Sequence, residues 1–349
     1  MSWKKMMFIV LSTSLLLLGF VMALNYFVNP LGKYASRELP SLVWTGRADK
    51  ANLLQKYNNN PDVLVLGSSR TMKINPNYIE EKTDLNAFNA GVNSARAEDY
   101  YVMLKYALED LDVKPEYVIL GIDLEGFHNN APLDDRLIYN QRFARYLHPE
   151  DRENKLSMLK SLISYDQTVA TGRSLSFAMT EYPTKKAAYD NDGYLHYPKK
   201  EKQIKEGKFK ADIDSYIKKY KGRFNNFTAI DEGRKDYLND FLTLAEENDI
   251  QVIGFITTLH DDVLAELRKT RDYDERKAEL TDFLNKMKQE HTNFTYNDFD
   301  EVKKYAGYEE AFYDGAHIRE ENADKITTRL LQEAKLTKTV HADEKEKQS

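Results

Sequence analysis

Pro61-Asp62-Val63-Leu64-Val65-Leu66-Gly67-Ser68-Ser69-Arg70 decides how the rest of the chain is read. Val63 to Gly67 form a short run of apolar residues and glycine, suited to a strand buried on both faces. The run stops on Gly-Ser-Ser-Arg. Small hydroxyl residues on a turn at the carboxyl end of a buried strand lie where open α/β sheets place their ligands. Taken alone, Gly67-Ser68-Ser69 reads as an ordinary turn leading into a helix N-cap.

Working outward, the same pattern recurs. Asn86–Gly91 reads as a second short strand ending in a turn, and Ala95–Leu111 as an amphipathic helix with Tyr101, Leu104, Leu108 and Leu111 at helical spacing. Tyr117–Asp123 is another buried strand. A helix at Lys235–Asn248 leads to a strand at Gln251–Ile256. A helix from about Asp274 to Glu290 then leads to a short strand at Phe294-Thr295-Tyr296, and a last helix runs from Glu321 to about Ala334. Strand–helix alternation of this kind predicts an α/β fold with a doubly wound, flavodoxin-like parallel sheet. From about 127 to 234 the pattern weakens into polar, tyrosine- and lysine-rich sequence. Helical stretches are expected near Lys155–Ile163 and Ala211–Tyr220, in an insertion that forms a lid or substrate rim or is a solvated decoration.

Lys4 and Lys5 precede an apolar run from Met6 to Val28, long enough to cross a bilayer, where about 20 residues suffice. The positive-inside rule then places residues 1–5 in the cytoplasm and everything after Asn29 outside. A cleaved signal peptide with a site at Val21-Met22-Ala23 is the competing reading, but the apolar run continues past that site. Residues 29–60 read as a membrane-proximal connection with a short helix around Ala48–Tyr57. The main domain spans 61–335, and 336–349 is a charged, disordered tail. The 349 residues carry a net charge of −6 with the basic residues spread throughout, so no nucleic-acid footprint exists. There is no cysteine, which excludes disulfides and thiolate chemistry. The seven histidines lack metalloprotease spacing, so neither a metal nor a cofactor is expected. His260-Asp261-Asp262 reads as a helix N-cap.

Asp314-Gly315-Ala316-His317 supplies partners for a serine nucleophile. An Asp three residues before a His can hold the imidazole through Nδ1, leaving Nε2 to accept a serine proton. The order Ser…Asp…His is one that unrelated hydrolases use.

On these residues the chain resembles the SGNH (GDSL-like) hydrolase superfamily. Gly67-Ser68-Ser69-Arg70 is similar to its first block with Ser69 as nucleophile, Asn89–Ala95 to its second, and Asp314–His317 to its closing block. The resemblance implies a triad of Ser69, His317 and Asp314, and an oxyanion hole drawn from Ser69, Ser94, Gly91 and Asp123. Ser94 aligns with the family's glycine, and Gly121-Ile122-Asp123-Leu124 stands where the family has Gly-x-Asn-Asp. An ionised Asp123 cannot donate to an oxyanion, and pairing with an arginine such as Arg70 is its expected role. Arg70 and Arg96 are candidates to bind an anionic group on an acceptor, or to pair with Asp123 and Glu98. The Gly-Ser-Ser start and single anchor are similar to a membrane-anchored subset that includes DltD and the polysaccharide O-acetyltransferases. That likeness implies acyl transfer onto a cell-envelope polymer beside a multi-span membrane-bound O-acyltransferase partner. An esterase or deacetylase with the same triad, and a non-catalytic envelope scaffold, are the alternatives.

Overall fold

A computed structural model describes residues 2–34, 46–57, 59–152, 155–179, 188–269 and 271–338. Residues 35–45 of the expected connection and 339–349 of the expected disordered tail lie outside the described residues. The chain divides into two compact units: Met1–Asn52 with Ala131–Ala187, and Leu53–Asn130 with Ala188–Ser349. The boundary between the units falls inside the stretch 127–234. Its first half belongs with the N-terminal residues and its second half with the sheet.

The strands are Val63–Leu66 (β1), Ala87–Asn89 (β2), Tyr117–Ile122 (β3), Ala188–Tyr189 (β4), Leu195–His196 (β5), Gln251–Ile256 (β6) and Phe294–Asp298 (β7). Five of them make a sheet in the order β2-β1-β3-β6-β7, every neighbouring pair parallel; β4 and β5 form a separate antiparallel hairpin. This is the doubly wound α/β arrangement, and the chain reverses its direction of winding between β1 and β3. A crevice opens at such a switch point, beyond the carboxyl ends of the strands.

Burial on both faces explains why the strands read as unbroken apolar runs. Val63, Val65, Ile119, Ile253 and Phe255 share one core with Ile79 of the helix Pro76–Thr83 and with Ile326 and Leu330 of the helix Glu320–Glu333. The alternate residues point to the opposite face. There the helices Ala97–Leu111 and Glu232–Glu247 pack together, through Tyr100 against Phe241 and Tyr101 against Tyr237. Each fully buried Val, Leu or Ile in these layers contributes about 1.5–3 kcal/mol. On Ala97–Leu111 the buried stripe is Tyr100, Met103, Leu104 and Ala107, a rotation from the expected Tyr101–Leu108 face. A polar residue, Lys105, and the tyrosine hydroxyl of Tyr101 meet at 3.1 Å on the outer side, which lets Tyr101 sit half-buried.

In the other unit, among the described residues, one helix, Trp3–Val28, is long and apolar enough to cross a membrane. Its C-terminal turn is tied down. The Asn25 amide donates to Leu162 O (2.7 Å) and Thr168 Oγ1 (2.9 Å), at the junction of the helices Lys155–Leu162 and Tyr165–Met179. Asn29 closes the helix in the left-handed region, and its side chain bonds both backbone groups of Tyr34.

Candidate active site

The turn after β1 is built around one threonine. Gly67 has φ +137°, and a Cβ there would lie 2.6 Å from Thr71 Cγ2 and 3.0 Å from Gly121 O. Cβ atoms on Gly91 and Gly121 would also strike Thr71, at 2.6 Å and 2.1 Å. Three glycines from the ends of three adjacent strands thus make the space that Thr71 fills. Thr71 in turn bonds Ser68 O through its amide (3.0 Å) and its hydroxyl (2.9 Å), closing the turn. Ser68 points inward, buried, with its hydroxyl accepting from Arg70 N (3.2 Å), while Ser69 faces the crevice.

Opposite it stands the Asp314–His317 turn. Phe312 and Ile318 form an antiparallel bridge, and Tyr313 N donates to His317 O at 2.7 Å. Asp314 Oδ1 accepts from the amides of Ala316 (3.1 Å) and His317 (3.0 Å), an Asx-type turn. Gly315 is required because a Cβ would lie 2.6 Å from both Tyr216 Cβ and Val263 Cγ2. The same carboxylate holds His317 Nδ1, at 2.8 Å from Oδ1 and 3.0 Å from Oδ2. His317 Nε2 lies 2.8 Å from Ser69 Oγ. Burial by itself would raise the Asp314 carboxyl; His317, Lys200 and the Ala316 amide outweigh it and hold the group down at about 2. A carboxylate so held keeps Nδ1 protonated and Nε2 free to accept the serine proton.

Ser68, Ser69, Arg70, Asn93, Ser94, Asp123, Lys219, Tyr220, Arg223 and His317 line a cavity of about 100 Å³. Among the described residues the backbone N–H groups of Ser69 and Ser94 donate to no protein group. Ser94 adopts φ +56°, which sets its amide in the turn that follows β2.

The structure corrects two candidates for the oxyanion hole. Gly91 is absent from the cavity wall, and its N–H is already given to Asn89 Oδ1 at 3.0 Å. Its role is steric, to clear Thr71. Asp123 lines the cavity but is an acceptor: its Oδ1 takes the Thr257 hydroxyl at 2.6 Å and lies 3.6 Å from Arg70 Nη1. Burial pushes the Asp123 carboxyl up, Arg70 opposes this, and Glu125 adds to it. The two arginines differ from a substrate-facing pair as well. Arg70 is buried and held by Asp123, Glu125, the Thr257 hydroxyl (2.7 Å) and the Tyr220 hydroxyl (2.6 Å). Arg96 is the N-cap of Ala97–Leu111 and does not line the cavity, and the nearby buried Glu98 faces Arg234. His260 caps the helix Asp261–Leu267, its Nδ1 accepting from Asp262 N at 3.2 Å.

Lys219, Tyr220 and Arg223 are site residues the sequence reading did not single out. They come from the helix Ile213–Phe224, joined to the closing turn by a bridge between Asp212 and Asp314. Tyr216 of the same helix meets the His317 ring edge-on, with centroids 5.8 Å apart. Among the described residues no group of three or more His, Asp or Glu is arranged to hold a metal.

No protein-family model matches the chain, and no curated protein matches it. Among solved structures it is similar to one from Desulfitobacterium hafniense DCB-2 described as a "putative lipolytic protein of G-D-S-L family". The two are 13% identical, with a TM-score of 0.32, over 78% of this chain and 97% of that one.

Proposed function

We propose that this chain is a membrane-anchored SGNH-type serine enzyme that transfers acyl groups to a cell-envelope polymer outside the cytoplasm. The observation that carries this reading is the line of hydrogen bonds from Ser69 through His317 to Asp314, 2.8 Å at each step, at the switch point of a doubly wound sheet. Ser69 Oγ attacks the acyl carbonyl while His317 Nε2 takes its proton, and His317 then protonates the leaving group. In the second half His317 removes the proton of an acceptor hydroxyl, which attacks the acyl-Ser69 ester; the proton returns to Ser69 Oγ. Asp314 is the positioning residue, fixing the imidazole and stabilising it when charged. The amides of Ser69 and Ser94 face the developing oxyanion, a role that needs only a backbone N–H.

Location and partner are part of the same proposal. The Trp3–Val28 helix is the anchor, with Lys4 and Lys5 on the cytoplasmic side. The resemblance of the Gly-Ser-Ser start and single anchor to the polysaccharide O-acetyltransferase and DltD subset supports a polymer acceptor and a multi-span O-acyltransferase as partner. Hydrolysis to free acid is the same chemistry with water as the second nucleophile. A serine-directed fluorophosphonate probe tests the nucleophile: labelling is expected in the wild type and in Ser68→Ala and absent in Ser69→Ala. An unlabelled wild type would favour a non-catalytic scaffold. Comparing acylation of a sugar acceptor with acid release then tests transfer, and dominant release would replace it by esterase activity.

A further inference from the structure

We propose that the helix pair Lys155–Leu162 and Tyr165–Met179 rests on the bilayer surface at the point where the anchor leaves it, so that this unit is a membrane-seated collar. The inference depends on the Trp3–Val28 helix spanning the membrane. At 1.5 Å per residue, about 20 residues cover the roughly 30 Å hydrocarbon core. Counted from Lys5, that length ends near Asn25, and the side chains from Met6 to Leu11 and from Leu15 to Leu18 are all exposed. Asn25 is buried and is the residue whose amide is bonded by Leu162 O and Thr168 Oγ1. These bonds fix the junction of the helix pair at the depth of the outer boundary.

What the pair presents at that depth is apolar. Leu156, Leu159 and Ile163 recur at helical spacing on one stripe and are 59%, 45% and 45% exposed. Tyr165 opens the second helix and is more exposed still, and Phe27 projects from the anchor's own last turn. The polar side of the first helix is turned the other way, with Ser161 bonded to the Tyr34 hydroxyl at 2.7 Å. Exposed Lys160 borders the stripe, where a lysine can lie along apolar surface with its charge among headgroups. Leucines beside tyrosine and phenylalanine match the interfacial zone of a bilayer. Continuity with the anchor makes lipid the occupant.

Because the chain has no cysteine, a single introduced thiol labels one position cleanly. The full chain would be reconstituted in phosphatidylcholine–phosphatidylglycerol vesicles as Leu159→Cys or Ile163→Cys carrying an environment-sensitive fluorophore. Phe20→Cys would serve as the lipid reference and Glu81→Cys as the aqueous one. Blue-shifted emission at 159 and 163, with loss of signal to a lipid-borne nitroxide and little loss to aqueous iodide, is expected. Iodide quenching equal to that of Glu81→Cys would overturn the proposal. So would protection from both quenchers, which would mean a protein contact such as a second copy. If Phe20→Cys itself fails to reach lipid, it is the anchor reading that falls. All four positions are exposed, so none of the substitutions opens the core.

Discussion

Replacing Asp314 by Asn isolates the geometry on which the proposed chemistry depends. The Asn carbonyl would keep the Ala316 and His317 amides that Asp314 Oδ1 now accepts, so the turn survives. The amide nitrogen then occupies the Oδ2 position, 3.0 Å from His317 Nδ1, as a donor. The retained carbonyl still lies 2.8 Å from Nδ1 but already accepts two backbone amides, so the imidazole meets the new donor by accepting at Nδ1, which moves its proton to Nε2. Nε2 is the atom 2.8 Å from Ser69 Oγ, and once protonated it cannot take the serine proton. In serine triads this tautomer error costs about 10⁴ in rate, or about 5 kcal/mol at 1.36 kcal/mol per tenfold. The assay is the second-order rate of fluorophosphonate labelling at Ser69, which needs no knowledge of the natural substrate. Circular dichroism checks that the variant is folded. A folded Asp314→Asn protein labelled within about tenfold of wild type would refute the reasoning, since the imidazole would then not be oriented by this carboxylate.

Three further outcomes follow from the structure. Asp314 sits at about 2 in the fold against 3.8 ordinarily, so the unfolded chain binds the proton first; its stabilisation is full above about pH 4 and is lost as pH falls toward 2. Two units correspond to about 2–3 kcal/mol, and urea unfolding should show a steeper acid loss in wild type than in Asp314→Asn; equal slopes would contradict the assignment. Asp123→Asn keeps an acceptor for the Thr257 hydroxyl, so labelling should stay within about tenfold; a loss of 10²–10³ in a folded variant would show that the site needs the charge of that carboxylate beside Arg70. Gly67→Ala meets both a φ of +137° and the Thr71 methyl, and should cost at least about 2 kcal/mol in urea unfolding, partly recovered by Thr71→Ser; an unaffected single variant would show that the turn is built otherwise.

The parts of the fold legible in the sequence were those fixed by local pattern. β1, β3 and β6 are buried on both faces, so their sequences are near-continuous apolar runs, and Gln251–Ile256 falls where the run does. The closing turn was legible because one carboxylate must reach both the backbone of its own turn and the imidazole, which fixes a three-residue spacing. The cavity's other wall was not. Lys219, Tyr220 and Arg223 reach the site through the fold of a helix whose sequence reads as a solvated, basic face. Gly91 was misread because a glycine beside an active turn can serve a backbone donor or a neighbouring side chain equally well, and only the position of Thr71 distinguishes them. Arg70 was ambiguous for a similar reason: Asp123 was visible as a partner, but Glu125, Thr257 and Tyr220, which complete its cage, converge from three separate segments. The grouping of residues 131–187 with the N-terminal helix was hidden too. Their links to the N-terminal segment include the Asn25 amide, 137 and 143 residues from its partners, and the Tyr34–Ser161 hydroxyl pair, which no local pattern announces.

The most direct test of the central claim is to trap the acyl-enzyme. The full-length protein would be mixed with an activated acetyl ester, quenched in acid within the first turnover, and mapped by peptide mass spectrometry. One acetyl group on Ser69 is predicted, absent from His317→Ala under the same conditions. Acetyl on Ser68 or on another residue, or no adduct in the folded wild type, would contradict Ser69 as the nucleophile of this site.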